Sequence, residues 1–186
     1  RNDASVLRES HDPWQKTGAL ASIGLTAASL IPGSYEFAAT AREMRLAARL
    51  AETGLDKAAN IIGELAQIAT RGSGNRVVLG QWDEAGGYVK ESLTKGGICF
   101  SMGKGVYEKV GNAATWAVNQ RFLEDQLKAG IEKIEVVGVN VMEYLMDERN
   151  IGRGLYNELK WLFHHAEQYG YVWDDTIGGW IKKAEP

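Results

Sequence analysis

The side chains with the clearest acid–base potential lie in one stretch, "YNELKWLFHHAEQYGY", from Tyr156 to Tyr171. It carries Glu158, His164 and His165, and so two of the chain's three histidines. An imidazole held by a carboxylate is a common general base near neutral pH. Adjacent helical residues point about 100° apart, so the two histidines cannot share one task. Projected as a helix, Leu155, Leu159, Leu162, Phe163, Ala166 and Tyr169 gather in one apolar arc. His164 falls opposite that arc, toward water. His165 and Glu158 fall on one flank, at its edge. His165 is therefore the expected base and Glu158 its orienting carboxylate. The competing reading of a flank histidine is a packing residue, or a cation favoured by the helix C-terminus.

Other polar candidates stand beside apolar faces. Arg76 opens a strand-like run, and its rigid fork of donors suits a phosphate or pyrophosphate, although a salt bridge is an equal reading. Asn119 lies at the edge of a helical face formed by Trp116, Leu123 and Leu127. There it would bind a base edge or satisfy a backbone group. Tyr88 and Lys90 follow the first strand as weaker substrate-binding candidates. Ser101 lies on the later strand-like run "GICFSM", on the face opposite Phe100. The single cysteine, Cys99, sits in the apolar run "ICF" and reads as a buried, inert thiol. No cysteine and histidine set has zinc spacing, and there is no P-loop, nucleophile elbow or dinucleotide fingerprint. No metal or cofactor is expected.

The elements that must position these groups fall into two sets. Gly18–Ile31, small and uncharged, is too short to span a bilayer and suits a packed or interfacial helix. A break at Pro32-Gly33 and a cap at Ser34 lead into a predicted helix, "YEFAATAREMRLAARLAET", ended by Gly54. "LDKAANIIGELAQIAT" predicts the next, with Phe37, Met44 and Leu50 facing Leu55, Ile62 and Leu65. "RGSGN", Arg71 to Asn75, reads as a linker. Beyond it the pattern becomes strands and helices: "NRVVLGQW", a short helix begun at Asp83, "GICFSM", a long helix broken near Gly111-Asn112, "KIEVVGV", and a terminal hairpin turned by Asp174-Asp175 and Gly178-Gly179. The expected fold class is α+β, an N-terminal helical segment and then a twisted sheet of four to five strands packed with helices. The expected domains are 1–71, helical, and 72–186, α+β.

The chain has 186 residues, 21 Lys and Arg, and 24 Asp and Glu, a net charge of −3. No global field draws it to nucleic acid or to an anionic membrane, so any phosphate site must be assembled from local cations.

"GNRVVLGQW", "GYVKE", "GGICFSMG", "WAVNQRFL" and "AEQYGYVWDDTIGGWIKK" resemble the C-terminal toxin tip of CdiA-type contact-dependent growth-inhibition proteins, a class of polymorphic toxin. The likeness covers Gly74 to the end, and the Ala-rich part before it resembles the cytoplasm-entry domain of such proteins. The resemblance implies a module displayed or secreted on a larger protein and delivered to the cytoplasm of a neighbouring bacterium. The helical part would touch the inner membrane transiently. It implies a cognate immunity protein, and a target-cell activating factor is a further partner it admits. It also implies a metal-independent ribonuclease acting on tRNA, with a small helix-plus-sheet fold called BECR. In that chemistry His165 and Glu158 would act on the 2′-hydroxyl and Arg76 on the phosphate. Asn119, Tyr88 and Lys90 would hold the RNA, and Tyr107 could stack a base. Two alternatives are an ADP-ribosyltransferase toxin using Arg76, Ser101 and Glu135, and a non-enzymatic membrane-active or receptor-binding module.

Overall fold

The computed structural model describes residues 30–31, 35–82 and 86–184. Most of Gly18–Ile31, the Pro32-Gly33 break, the Ser34 cap and the helix start at Asp83 lie outside the described residues. Among the described residues, six α-helices and a six-stranded mixed sheet make an α+β fold. Helix α1, Ala41–Thr53, begins six residues later than expected from Tyr35. Its cap is Thr40, whose hydroxyl accepts from the Glu43 N–H at 3.0 Å. Residues 35–40, just before it, are not helical. Phe37 bridges to Leu30 and packs with Val89 and Cys99. Gly54, at φ 77°, ends α1 by donating to the Leu50 carbonyl. Helix α2 is Ala59–Ala69, and its buried face is Ile61, Leu65, Ala66 and Ala69. The facing stripes are thus Leu46, Leu50 and Ile61, Leu65, whereas Leu55 is exposed.

Strands β1 (Thr70–Gly72), β2 (Arg76–Gly80), β3 (Ile98–Phe100), β4 (Lys133–Val137), β5 (Tyr171–Asp174) and β6 (Gly179–Lys182) are ordered β1-β3-β2-β4-β6-β5. β2 runs parallel to both neighbours; the other pairs are antiparallel. A strand between parallel neighbours is covered on both faces, which explains why Val77, Val78 and Leu79 are all buried. Helix α3, Gly87–Lys95, is entered through Gly86 and Gly87, whose φ values are 95° and 43°. Helix α4, Val106–Ala129, is interrupted at Gly111 as the sequence predicts. Its second part presents Ala114, Val118 and Phe122, four residues apart, to the core. Short α5, Val141–Met146, capped by Asn140, precedes α6, Gly154–His165.

Two expectations need correction. The sheet has six strands because the supposed linker is partly a strand: Thr70, Arg71 and Gly72 pair with Phe100, Cys99 and Ile98. The boundary between residues 71 and 72 therefore runs through β1. Nor is there a separate helical domain among the described residues. Leu46, Leu50, Ile61 and Leu65 belong to the same core as Val77, Phe100, Phe122, Leu159 and Trp180. Polar, glycine-rich composition marks a turn as readily as a linker, and here only Ser73–Asn75 turns the chain.

The terminal hairpin forms where expected. Asp174 accepts from the Thr176 N–H at 2.7 Å, a side-chain turn that reverses the strand. Its second strand leaves no room for a side chain at Gly179, where a Cβ would lie 1.9 Å from the Ile134 carbonyl oxygen. Gly179→Ala should cost about 2–4 kcal/mol, read as a lower urea midpoint. Gly178→Asn, at φ 60° with open space around it, should cost far less.

Candidate active site

A cleft of about 710 Å³ opens where the parallel strands end. Gly80 and Gln81 bring β2 to it, and Phe100 to Gly105 bring β3. This is the position at which open α/β sheets bind ligands, because the connections that follow adjacent parallel strands leave their carboxyl ends toward opposite sides. Helix α4 contributes Thr115 and Asn119 to the cleft, and the first turns of α6 contribute Gly154, Leu155 and Glu158.

Glu158 lies on its floor, 7% exposed. Asn119 Nδ2 donates to its Oε1 at 2.6 Å, joining two helices that are distant in sequence. Burial disfavours the ionised carboxylate more than this hydrogen bond favours it, and the pKa is pushed up to about 7. The acid can therefore gain and lose a proton near neutral pH. Asn119 Oδ1 has no hydrogen-bond partner among the described residues, nor has Thr115 Oγ1. The Asn119 amide suits both states of Glu158: Nδ2–H serves the carboxylate, and Oδ1, turned inward, serves the protonated acid. Tyr88 donates its hydroxyl proton to the Phe100 carbonyl at 2.7 Å. Burial first, then the charge of Glu158, raises its pKa well above 10, so it stays protonated.

The rim differs in character. Trp82 and Tyr107 are about half exposed, at 52% and 49%, and offer flat aromatic faces. Arg153 stands exposed at the start of α6, and Lys104 pairs with Glu36 at 3.3 Å. An exposed pair of that kind contributes little in water and is readily exchanged for another anion.

The sequence candidates divide between this cleft and other places. Glu158, Asn119, Tyr88, Ser101 and Tyr107 line it. His165 does not. It has the expected helical phase, half-buried beside an exposed His164, but its Nδ1 lies 2.8 Å from the Trp161 carbonyl and its ring stacks on Trp161. Glu158 and His165 are not partners. Seven helical residues place them ~10 Å apart along the axis, beyond hydrogen-bond reach, although they share a flank. Phe163 also departs from the expected arc. It is 38% exposed and packs against Trp173 and Trp180 of the hairpin.

Arg76 lies at the opposite end of β2 from the cleft. Its guanidinium donates to the Gly96 carbonyl at 2.8 Å and is ion-paired with Glu135 on β4. Burial opposes ionisation of Glu135, but Lys133 and Arg76 outweigh it and hold the carboxyl below its usual range. The salt-bridge reading of Arg76 is the one the geometry supports. Arg76 and Glu135 occupy each other, and Ser101 faces the cleft at the other end of the sheet, so the transferase set does not converge. Lys90 is exposed, 5.8 Å from the centre of the Tyr35 ring, and does not line the cleft. Cys99 is buried and free, its thiol pushed up to about 11 by burial, as an inert core residue should be.

Sequence reasoning missed Trp82, Lys104, Thr115 and Arg153. A faint signal existed for Thr115, four residues before Asn119 on the same helix face. For Arg153 there was none, since its place depends on how α6 meets the sheet. Among the described residues no helix is long and apolar enough to cross a membrane. No family model matches this chain, and no curated protein or solved structure matches it either.

Proposed function

We propose that this chain is an antibacterial toxin domain that cleaves RNA, with tRNA in a target cell as its substrate and a cognate immunity protein as its inhibitor. The observation that carries the reading is Glu158: a buried acid, at about pKa 7, on the floor of an open cleft whose rim holds both aromatic faces and cations. Its carboxylate takes the proton of an RNA 2′-hydroxyl. The 2′-oxygen then attacks the adjacent phosphorus, and the bond from phosphorus to the 5′-oxygen breaks. A 2′,3′-cyclic phosphate is left on one fragment. The departing 5′-oxygen takes a proton from water, to which the cleft is open. Arg153 and Lys104 meet the charge that grows on the phosphoryl oxygens. Trp82 and Tyr107 stack the neighbouring bases, a mode of binding tolerant of sequence. Tyr88 and Asn119 fix the floor. The sequence resemblance of Gly74 to the end supports the toxin context, with a BECR-like fold and delivery as part of a larger protein.

The test is to express the full chain from a tightly repressed promoter in bacteria and to run total RNA on a gel. Discrete tRNA fragments ending in cyclic phosphate are expected. Growth arrest with intact RNA would overturn the reading. Trp82→Ala should weaken binding of a single-stranded oligonucleotide by ~1–3 kcal/mol, measured by fluorescence anisotropy, with stability unchanged.

A further inference from the structure

One wall of the cleft, Ser101 to Lys104, is a loop with no secondary structure of its own. Its backbone groups are held from elsewhere. The Ser101 N–H donates to the Ala69 carbonyl at 2.8 Å, and the Lys104 N–H to the Phe37 carbonyl at 2.9 Å. The Gly103 N–H donates to Glu43 Oε1 at 2.6 Å, and the Ser101 carbonyl accepts from Arg71 Nε at 2.9 Å. Glu43 and Arg71 are 0% and 3% exposed and face each other at 3.4 Å, with Phe37 under the guanidinium at 4.6 Å. Gly103 approaches the segment leading into α1 so closely that a Cβ there would lie 2.4 Å from the Ala39 Cα.

A buried ion pair is a poor choice for stability alone, because desolvating two charges offsets most of their attraction. This pair does something an apolar pair cannot. It supplies an acceptor to Gly103 and a donor to Ser101, two residues apart on the wall. We propose that Glu43 and Arg71 are positioning residues that set this wall of the cleft, which Glu158 also lines, so that α1 and β1 belong to the site. The proposal rests on the cleft being the functional site.

Arg71→Lys is the discriminating variant. An ammonium can neutralise Glu43, but as a single point of donation it cannot also hold the Ser101 carbonyl in the geometry of the guanidinium fork. The full-length variant should unfold within a few degrees of wild type, while amide exchange at Gly103 and Lys104 rises by about tenfold or more. Cleavage of tRNA should lose about tenfold in kcat with KM little changed, as expected for a misplaced wall. Glu43→Gln, which keeps an acceptor for Gly103 but leaves Arg71 uncompensated, should raise the same exchange rates and lower Tm as well. Wild-type exchange at Gly103 and Lys104 in both variants would overturn the proposal. If exchange rises as expected but the wild-type chain cleaves no RNA, the ribonuclease reading fails, and the role of the pair in shaping the cleft stands.

Discussion

Glu158→Gln should reduce RNA cleavage by about 10²–10⁴-fold, the usual contribution of a general base. The same change should stabilise the protein at alkaline pH. The carboxyl has a native pKa of about 7 against an ordinary 4.5, so between those values the native state holds a proton that the unfolded chain has released. Stability must then fall as pH rises from 4.5 to 7 and stay level above that, where the ionised group remains buried. The loss is roughly 3 kcal/mol. For a chain of this size each kcal/mol moves Tm by about 2–4 °C. Gln carries no titrating group and keeps an amide partner in Asn119. Between pH 5 and pH 8 the variant should therefore lose less in melting temperature than the wild type does. Parallel pH profiles for the two would show that Glu158 does not sit protonated in the native cleft. His165→Ala should leave cleavage unchanged, since the imidazole is bonded to the Trp161 carbonyl outside the cleft. Loss of activity in that variant with full activity in Glu158→Gln would reverse the assignment.

Ser73–Pro186, made without the preceding residues, should fail to fold. The cut removes α1, α2 and β1 and uncovers the faces of α4 and β3 on which they pack. Leu46, Leu50, Ile61 and Leu65 alone stabilise the fold by about 1.5–3 kcal/mol each through burial. Their sum approaches the whole stability of an ordinary domain, about 5–15 kcal/mol. The fragment should be insoluble, or show no cooperative transition in urea by circular dichroism. A soluble fragment with a sharp transition would mean that the sheet and its C-terminal helices suffice.

Much of the fold was legible because its signals are local. Alternating or apolar runs bounded by Gly and Asn gave β2, β3 and β4, and Gly111 gave the break in α4. Asp174 and Gly178 gave the hairpin. What misled was context. Thr70 ends a helical run and Arg71-Gly72 have the composition of a linker, and only the free edge of β3 makes them a strand. Helical phase placed His165 and Glu158 on one flank but carries no information about what comes to meet that flank. At Glu158 it is Asn119, 39 residues away; at His165 it is the preceding turn of its own helix. The cleft itself was not legible, because its position follows from the strand order, and a parallel pair leaves no turn motif in the sequence to announce it.

That strand order also dictates when the protein can become folded. A parallel pair has no short hairpin to start it, and the contacts that define this fold join distant segments: Arg76 meets Glu135 across 59 residues, and Glu43 meets Gly103 across 60. Chains dominated by such pairings fold in milliseconds to seconds, because loop closure must precede any gain in contacts. On a ribosome adding ~5–20 residues per second, the run Val77–Leu79 emerges seconds before β4, and β4 before the hairpin that covers its other edge. Among the described residues, the helices before that run belong to the same core as the strands that follow it. Because Val77, Leu79, Ile134 and Trp180 share one core, the run Val77–Leu79 gains its full cover only once the hairpin has been made.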